Sequence, residues 1–420
     1  MKAKAEKKII LLIVESTDCF YCNEITELGL SAPELKKLKN NAIFLHVDKV
    51  PSELLQSDVY SFRDNFSGLI FLDGDKHILD TYSGATSNYF LLEYKLKESI
   101  KVYKKSDFEI SALEEKYSAG NKSFCDLYAL IQKIIEKGLE PKQNYVDTLT
   151  RIAPADSAKS LYFLQFLFNT APEIGSITEK YTLQKSENYY MAWWRMSLEK
   201  MSKINSRISS KSIEKAASLK DQNYLRTISN TISYIFSNSP AEMRKFASIY
   251  PTLEYYYQIK DTANYMRLAG LFYNLYLNQN VDSIFRNDSL RKEQIKNEVL
   301  QNNRIYKPER TIAFRLTDNI TMAMRYAITL NKGARIHYTF SNNVNYLNDA
   351  LQWAKKANEL AESPDFMETY AKILYKTKQK DLAIQWETKA IELMKLKNKD
   401  FSKMNRVLAK MKSDEDNLEF

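Results

Sequence analysis

The stretch IILLIVESTDCFYC, residues 9–22, decides how the N-terminal part of the chain is read. Its first six residues are apolar and rich in Ile and Val, and Glu15 ends the run. A run this short and continuous predicts a strand, Ile9 to Glu15, buried on both faces. Cys19 and Cys22 follow, with two residues between them, at the start of a helix expected to run towards Leu28. Such a pair can be a redox couple, half of a zinc site, or chemically silent. The chain holds three Cys and three His. A structural zinc site wants four ligands and no second pair is evident, so no metal is expected.

Working outward, SAPE at 31–34 reads as a helix start, with Ser31 as cap and Pro33 in the first turn. AIFLHVD at 42–48 is a second strand, and a helical stretch is expected over Ser52 to Arg63. LIFLD, 69–73, a turn at Asp73-Gly74-Asp75-Lys76, and HILDTY, 77–82, make a hairpin. SNYFLLEYKLKESI, 87–100, closes the region as an amphipathic helix. The order is βαβ, a helix, then ββα. Four of the nine glycines fall in the first 84 residues, and the border of this α/β part is expected near residue 105. No G-x-G-x-x-G and no P-loop motif occurs, which leaves out the usual nucleotide-cradling loops.

That element order, with C-x-x-C between the first strand and its helix, resembles the thioredoxin fold. The segment Thr17-Asp18-Cys19-Phe20-Tyr21-Cys22-Asn23-Glu24 is similar to the S-D-C-x-W-C-K-K motif of one thioredoxin-like subgroup. The resemblance covers about the first hundred residues. It implies a thiol-disulfide oxidoreductase without cofactor, acting on protein substrates, with Cys19 and Cys22 catalytic and Asp18, Phe20 and Tyr21 flanking them. A thiol at a helix N-terminus ionises readily, so Cys19 is the expected nucleophile and Cys22 the resolving thiol. The chain departs from the family at three places. Ser67 stands where the family has a cis-proline at the substrate groove, Ile13 replaces a buried Asp and Phe44 its Lys partner, and Phe20-Tyr21 replaces Gly-Trp or Gly-Pro. Glu15 or Asp18 is then left to handle protons. Two functions stay open: disulfide exchange, or a redox-inactive fold kept as a protein-interaction module. Cys125, in the amphipathic pattern NKSFCDLYALIQKII, is expected to be buried as a small hydrophobe, and His46 and His77 to be structural.

After residue 105 the pattern is helical throughout. ALQWAKKANEL from Ala350 and AIQWETKAIEL from Ala383 match at Ala, Gln, Trp, Lys, Ala, Glu and Leu. This resembles the second helix of tetratricopeptide repeats, with Tyr370 and Ala371 fitting the helix before the second copy. Glu387 departs from the aromatic usual at its position. The aromatic clusters YYMAWWRM, 189–196, and LEYYYQI, 253–259, are read as helix packing. The expected organisation is 1–104 thioredoxin-like, 105–335 all-helical, and 336–420 tetratricopeptide-like. The fold class is thus α/β followed by a large all-α helical-repeat region.

The formal charge of +9 lies in the long remainder, dispersed as Lys alternating with Glu and Asp, which is a solvated exterior rather than a nucleic-acid surface. No run approaches the ~20 apolar residues needed to cross a bilayer. MKAKAEKK reads like a polar segment just past a removed leader. On that reading the protein is extracytoplasmic; otherwise it is cytoplasmic. The resemblance to bacterial extracytoplasmic thioredoxin-family proteins with helical appendages implies that the helices hold a substrate or redox partner.

Overall fold

A computed structural model of the chain describes all residues except 1, 16–29, 31–32, 56, 58–59, 63–65, 85–88, 106–108, 121–122, 159, 185, 238–240, 302–320, 397–399, 416–417 and 419–420. The chain divides into two compact units, Met1–Lys215 and Ala216–Phe420.

The first unit is built on a four-stranded mixed sheet. Its strands are β1 (Ile9–Val14), β2 (Ala42–Val47), β3 (Gly68–Leu72) and β4 (Ile78–Ser83), in the order β2-β1-β3-β4. β1 runs parallel to β2, from Ile9 opposite Ala42 to Val14 opposite Val47. It runs antiparallel to β3, from Ile10 opposite Leu72 to Val14 opposite Gly68. β3 and β4 form the expected hairpin, whose turn is organised by Asp73: one carboxylate oxygen accepts from the Asp75 and His77 amides at 2.8 Å each.

Burial explains the unbroken apolar run of β1. Alternate residues point to opposite faces, and each face meets its own core. Ile9, Leu11 and Ile13, with Leu69 and Phe71, pack with Leu30, Leu35, Leu92 and Leu96. The last two belong to α1 (Tyr89–Lys105), whose Lys95 reaches Asp80 of β4 at 2.8 Å. On the opposite face Ile10, Leu12 and Val14, with Ile70 and Leu72, pack against the helices that follow residue 105. These are α2 (Glu109–Ser118), α3 (Phe124–Glu136), α4 (Gln143–Ile152) and α5 (Leu161–Asn169). Leu127, Leu130, Ile131, Ile134, Val146, Leu149, Phe163 and Leu167 supply the cover. The sheet is therefore a middle layer between helices.

Two expectations are corrected. Ser52 to Arg63 is not a helix: a single 3-10 turn, Ser52–Leu54, is followed by Tyr60–Ser61, extended and paired with Glu140–Pro141. The partner lies some eighty residues away, beyond the reach of any local pattern. Cys125 is exposed. It opens the first turn of α3, whose buried stripe is Leu127, Leu130, Ile131 and Ile134, and its position falls on the other side.

The unit continues through α6 (Ile177–Gln184) and α7 (Ser186–Trp194) into α8 (Leu198–Leu219), within which the division falls. In the YYMAWW cluster Tyr189 and Trp193 pack on Phe168, at 5.3 and 5.0 Å between ring centres. Tyr190 and Trp194 are exposed instead.

The second unit contains α9 (Gln222–Ile235), α10 (Ala241–Gln258), α11 (Thr262–Leu277), α12 (Val281–Leu300), α13 (Met322–Phe340), α14 (Val344–Leu360), α15 (Pro364–Lys376), α16 (Lys380–Leu396) and α17 (Ser402–Lys412). From α13 onward each helix packs against the next, a helical repeat-like architecture. The two Ala-Gln-Trp copies occupy α14 and α16. Ala350, Trp353, Ala357, Ala383 and Ala390 are all fully buried, and Tyr370 meets Trp386 edge-on at 5.0 Å. A Cβ on Gly333 would fall 2.8 Å from the Tyr273 ring, so only glycine lets α11 and α13 approach this closely. Among the described residues no helix is long and apolar enough to cross a membrane.

Candidate functional site

Parallel strands β1 and β2 end at the same edge of the sheet, the edge where α/β folds place their chemistry. Three chain segments meet there. The Glu15 amide, one residue past β1, donates to the Val47 carbonyl at 2.9 Å. Val14 faces Gly68, the first residue of β3. The Ser67 carbonyl accepts from the Gly84 amide at 2.7 Å, which fixes the entry to β3. Gly68 has φ 141°, and a Cβ there would lie 2.0 Å from the Tyr82 carbonyl oxygen. This is a conformation and a clearance that only glycine satisfies. Gly68 thereby holds Ser67 against the end of β1.

Of the residues singled out in the sequence, Cys19, Cys22, Asp18, Phe20 and Tyr21 lie outside the described residues. Their segment, 16–29, follows directly on Glu15. Ser67 is described, buried, and beside the end of β1. The register thus joins Ser67 to the strand that carries the cysteine segment.

Two ionisable side chains, Glu15 and His46, meet at this edge. Ile13 is buried in the core between His46 and Leu69, and Phe44 is half-buried with the Lys39 ammonium 5.9 Å from its ring centre. Neither position carries an ionisable group. Glu15 is mostly buried, with 19% of its side chain exposed, and its Oε1 lies 3.3 Å from His46 Nδ1. The separation is that of an ion pair, without the alignment of a hydrogen bond. The contact follows from parallel pairing: β1 and β2 finish together, so a residue just past one meets a residue near the end of the other. The alternation of β2 reads His46 as a strand residue only; its pairing with Glu15 needs the register.

His77 serves the hairpin. Its Nδ1 is 2.8 Å from Asp73 Oδ2, locking the turn that Asp73 builds. Comparison with family models, with curated proteins and with solved structures finds no match to this chain.

Proposed function

We propose that the protein is a thiol-disulfide oxidoreductase of thioredoxin-like fold, with Cys19 as nucleophile and Cys22 as resolving thiol. The observation that carries the reading is the sheet: the C-F-Y-C segment follows the end of a central strand flanked by a parallel and an antiparallel neighbour, with Ser67 and Gly68 beside that end. A βαβ-ββα mixed sheet of this order supports the resemblance drawn from the motif. In the proposed reaction the Cys19 thiolate attacks one sulfur of a substrate disulfide. The substrate S–S bond breaks, and the departing sulfur leaves as a thiolate and takes up a proton. Cys22, deprotonated, then attacks the Cys19 sulfur, releases the second substrate thiol and leaves a Cys19–Cys22 disulfide. Two electrons pass to the substrate; the reverse sequence oxidises it. Glu15, mostly buried and beside His46, is the acceptor for the Cys22 proton. The tetratricopeptide-like helices hold the substrate or redox partner, and an extracytoplasmic setting belongs to the same proposal.

The test is trapping. Cys22→Ser should accumulate mixed disulfides with its substrates through Cys19, separable on non-reducing gels, and wild type should turn over a model disulfide. Absence of both results refutes exchange. A second reading, a redox-inactive docking module, is favoured by the buried Ile13 and Ser67, which stand where the resemblance puts the family's acid and groove proline. On that reading, Cys19→Ser/Cys22→Ser binds the same partners as wild type.

A further inference from the structure

The sheet of the first unit has two outer strands, β2 and β4, and the chain treats them differently. An outer strand offers a row of backbone groups to any further strand, and folded proteins stopper that row with charges, bulges or cover. β4 is stoppered. The bond from the Gly84 amide to the Ser67 carbonyl fixes the alternation of the β3–β4 ladder and turns Thr81 outward. Its amide donates to the Asp80 carboxylate at 2.8 Å, and its carbonyl accepts from the Lys95 ammonium at 3.2 Å. The ladder is also shifted at Phe71 and Leu72.

β2 has none of these devices. The Ile9 amide donates to the Asn41 carbonyl at 3.0 Å and the Glu15 amide to the Val47 carbonyl at 2.9 Å. In a parallel ladder these bonds turn residues 41, 43, 45 and 47 towards β1, and the N–H and C=O groups of Phe44 and His46 away from it. Among the described residues no hydrogen bond reaches those outward backbone groups. The register is unbroken from Ala42 to Val47, and AIFLHV contains no Lys, Arg, Asp, Glu or Pro. Leu45 is 45% exposed and the His46 side chain 53%.

We infer that β2 pairs with β2 of a second copy of this chain, antiparallel about a twofold axis at Leu45, joining two four-stranded sheets into one. The strand is its own complement in this register. Phe44 of each copy exchanges backbone bonds with His46 of the other, using the groups that β1 leaves free. On one face Leu45 meets Leu45 and Ile43 meets Val47; on the other the Phe44 ring meets the His46 ring. Every pair is apolar or aromatic, the cross-strand contacts that stabilise a sheet. Beyond the strand, Asp48 falls opposite Ala42 and Lys49 opposite Asn41, so no like charges oppose. A foreign strand would gain the same backbone bonds without this side-chain match.

The experiment follows the full chain by sedimentation equilibrium, where monomer and dimer should exchange in the micromolar range. Leu45→Lys, an exposed substitution whose fold an unchanged urea midpoint verifies, puts two ammonium groups on the axis and should weaken the dimer about tenfold or more. Leu45→Cys, with Cys19, Cys22 and Cys125 replaced by Ser, sets two thiols at a Cα separation of about 4.5 Å, within disulfide reach. Mild oxidation should therefore crosslink it on non-reducing gels. His46→Cys in the same background places its thiols on diagonal neighbours about 7–8 Å apart and should crosslink far less. A dimer that Leu45→Lys leaves intact, or that Leu45→Cys fails to crosslink, overturns the pairing. So does a wild-type chain that stays monomeric up to about 100 µM. If the Phe44 and His46 amide signals of that monomer shift with an uncharged Thr-Val peptide, the edge belongs to a foreign strand and the second copy is refuted.

Discussion

Two buried ionisable side chains in the second unit set opposite pH dependences. Glu387 is fully buried, and among the described residues both its carboxylate oxygens lack hydrogen-bond partners. Burial pushes its carboxyl up to about 8, reinforced by Glu368 and partly offset by Lys372, which pairs with Glu368 at 2.9 Å. The folded state therefore keeps a proton that the unfolded chain releases near 4.5, and stability falls as pH rises from about 4.5 to about 8. His337 is the reverse case. It is enclosed by Trp353, Tyr346 and Tyr265, with neither ring nitrogen bonded among the described residues, and burial pushes it down to about 4. Its contribution is complete above about 6.5 and is lost as pH falls towards 4. Each slope is at most about 1.4 kcal/mol per pH unit, so the two nearly cancel between 4.5 and 6.5. Relative to wild type, Glu387→Gln should gain stability steadily from pH 4.5 to 8, and His337→Phe should lose its disadvantage below pH 6.5; urea midpoints against pH measure both. In the first unit, on the proposed function, Glu15→Gln should slow resolution by Cys22 about tenfold or more, measured by stopped-flow release of a trapped mixed disulfide. Glu387 stood out in the sequence because it replaces an aromatic. His337 did not, since a histidine in a helix reads the same whether caged or solvated.

Local patterns carried the strands but not what joins distant segments. β1 to β4 lie within a residue or two of their expected limits, because period-two burial and an Asp-Gly turn are written in neighbouring residues. The 52–63 segment failed because its conformation is set by Glu140–Pro141. Glu140 does more than pair. Almost fully buried, it accepts two bonds from Arg207 of α8, one from Nε at 2.7 Å and one from Nη2, while Arg207 Nη1 donates to the Asn169 carbonyl at 2.9 Å. Lys211, one turn on, is pushed down by burial among these groups. The fork ties α8 to the C-terminus of α5 and to the ribbon. Arg207→Ala strands a buried carboxylate and should cost about 3–5 kcal/mol in urea unfolding, whereas Glu140→Leu/Arg207→Met should recover most of that loss. Gly68→Ala should cost about 2 kcal/mol or more, through its positive φ and the Tyr82 carbonyl, and should displace Ser67. No periodicity announced either site.

For the molecule as a whole, a small α/β region followed by a large helical one was legible in glycine distribution and in the helical pattern after residue 105, whereas the interdependence of the parts was not. Ile10, Leu12, Val14, Ile70 and Leu72 share their core with Val50, Leu54, Phe62 and Phe66 of the α/β segment, but much of its remainder comes from α2 to α5. A fragment 1–105 should therefore aggregate, while 1–220, which keeps α8 whole, should assemble no further than the full chain and unfold cooperatively; light scattering with size-exclusion chromatography separates the outcomes. The same two-sided burial sets a timetable during synthesis. β1 is synthesised ahead of the helices packed on it, and Leu167, which helps close its second face, is made more than 150 residues later. At ordinary translation speeds of about 5–20 residues per second the gap is roughly 8–30 s. For that interval the nascent chain carries its stickiest six residues half-dressed, a long exposure that a holding chaperone would shield.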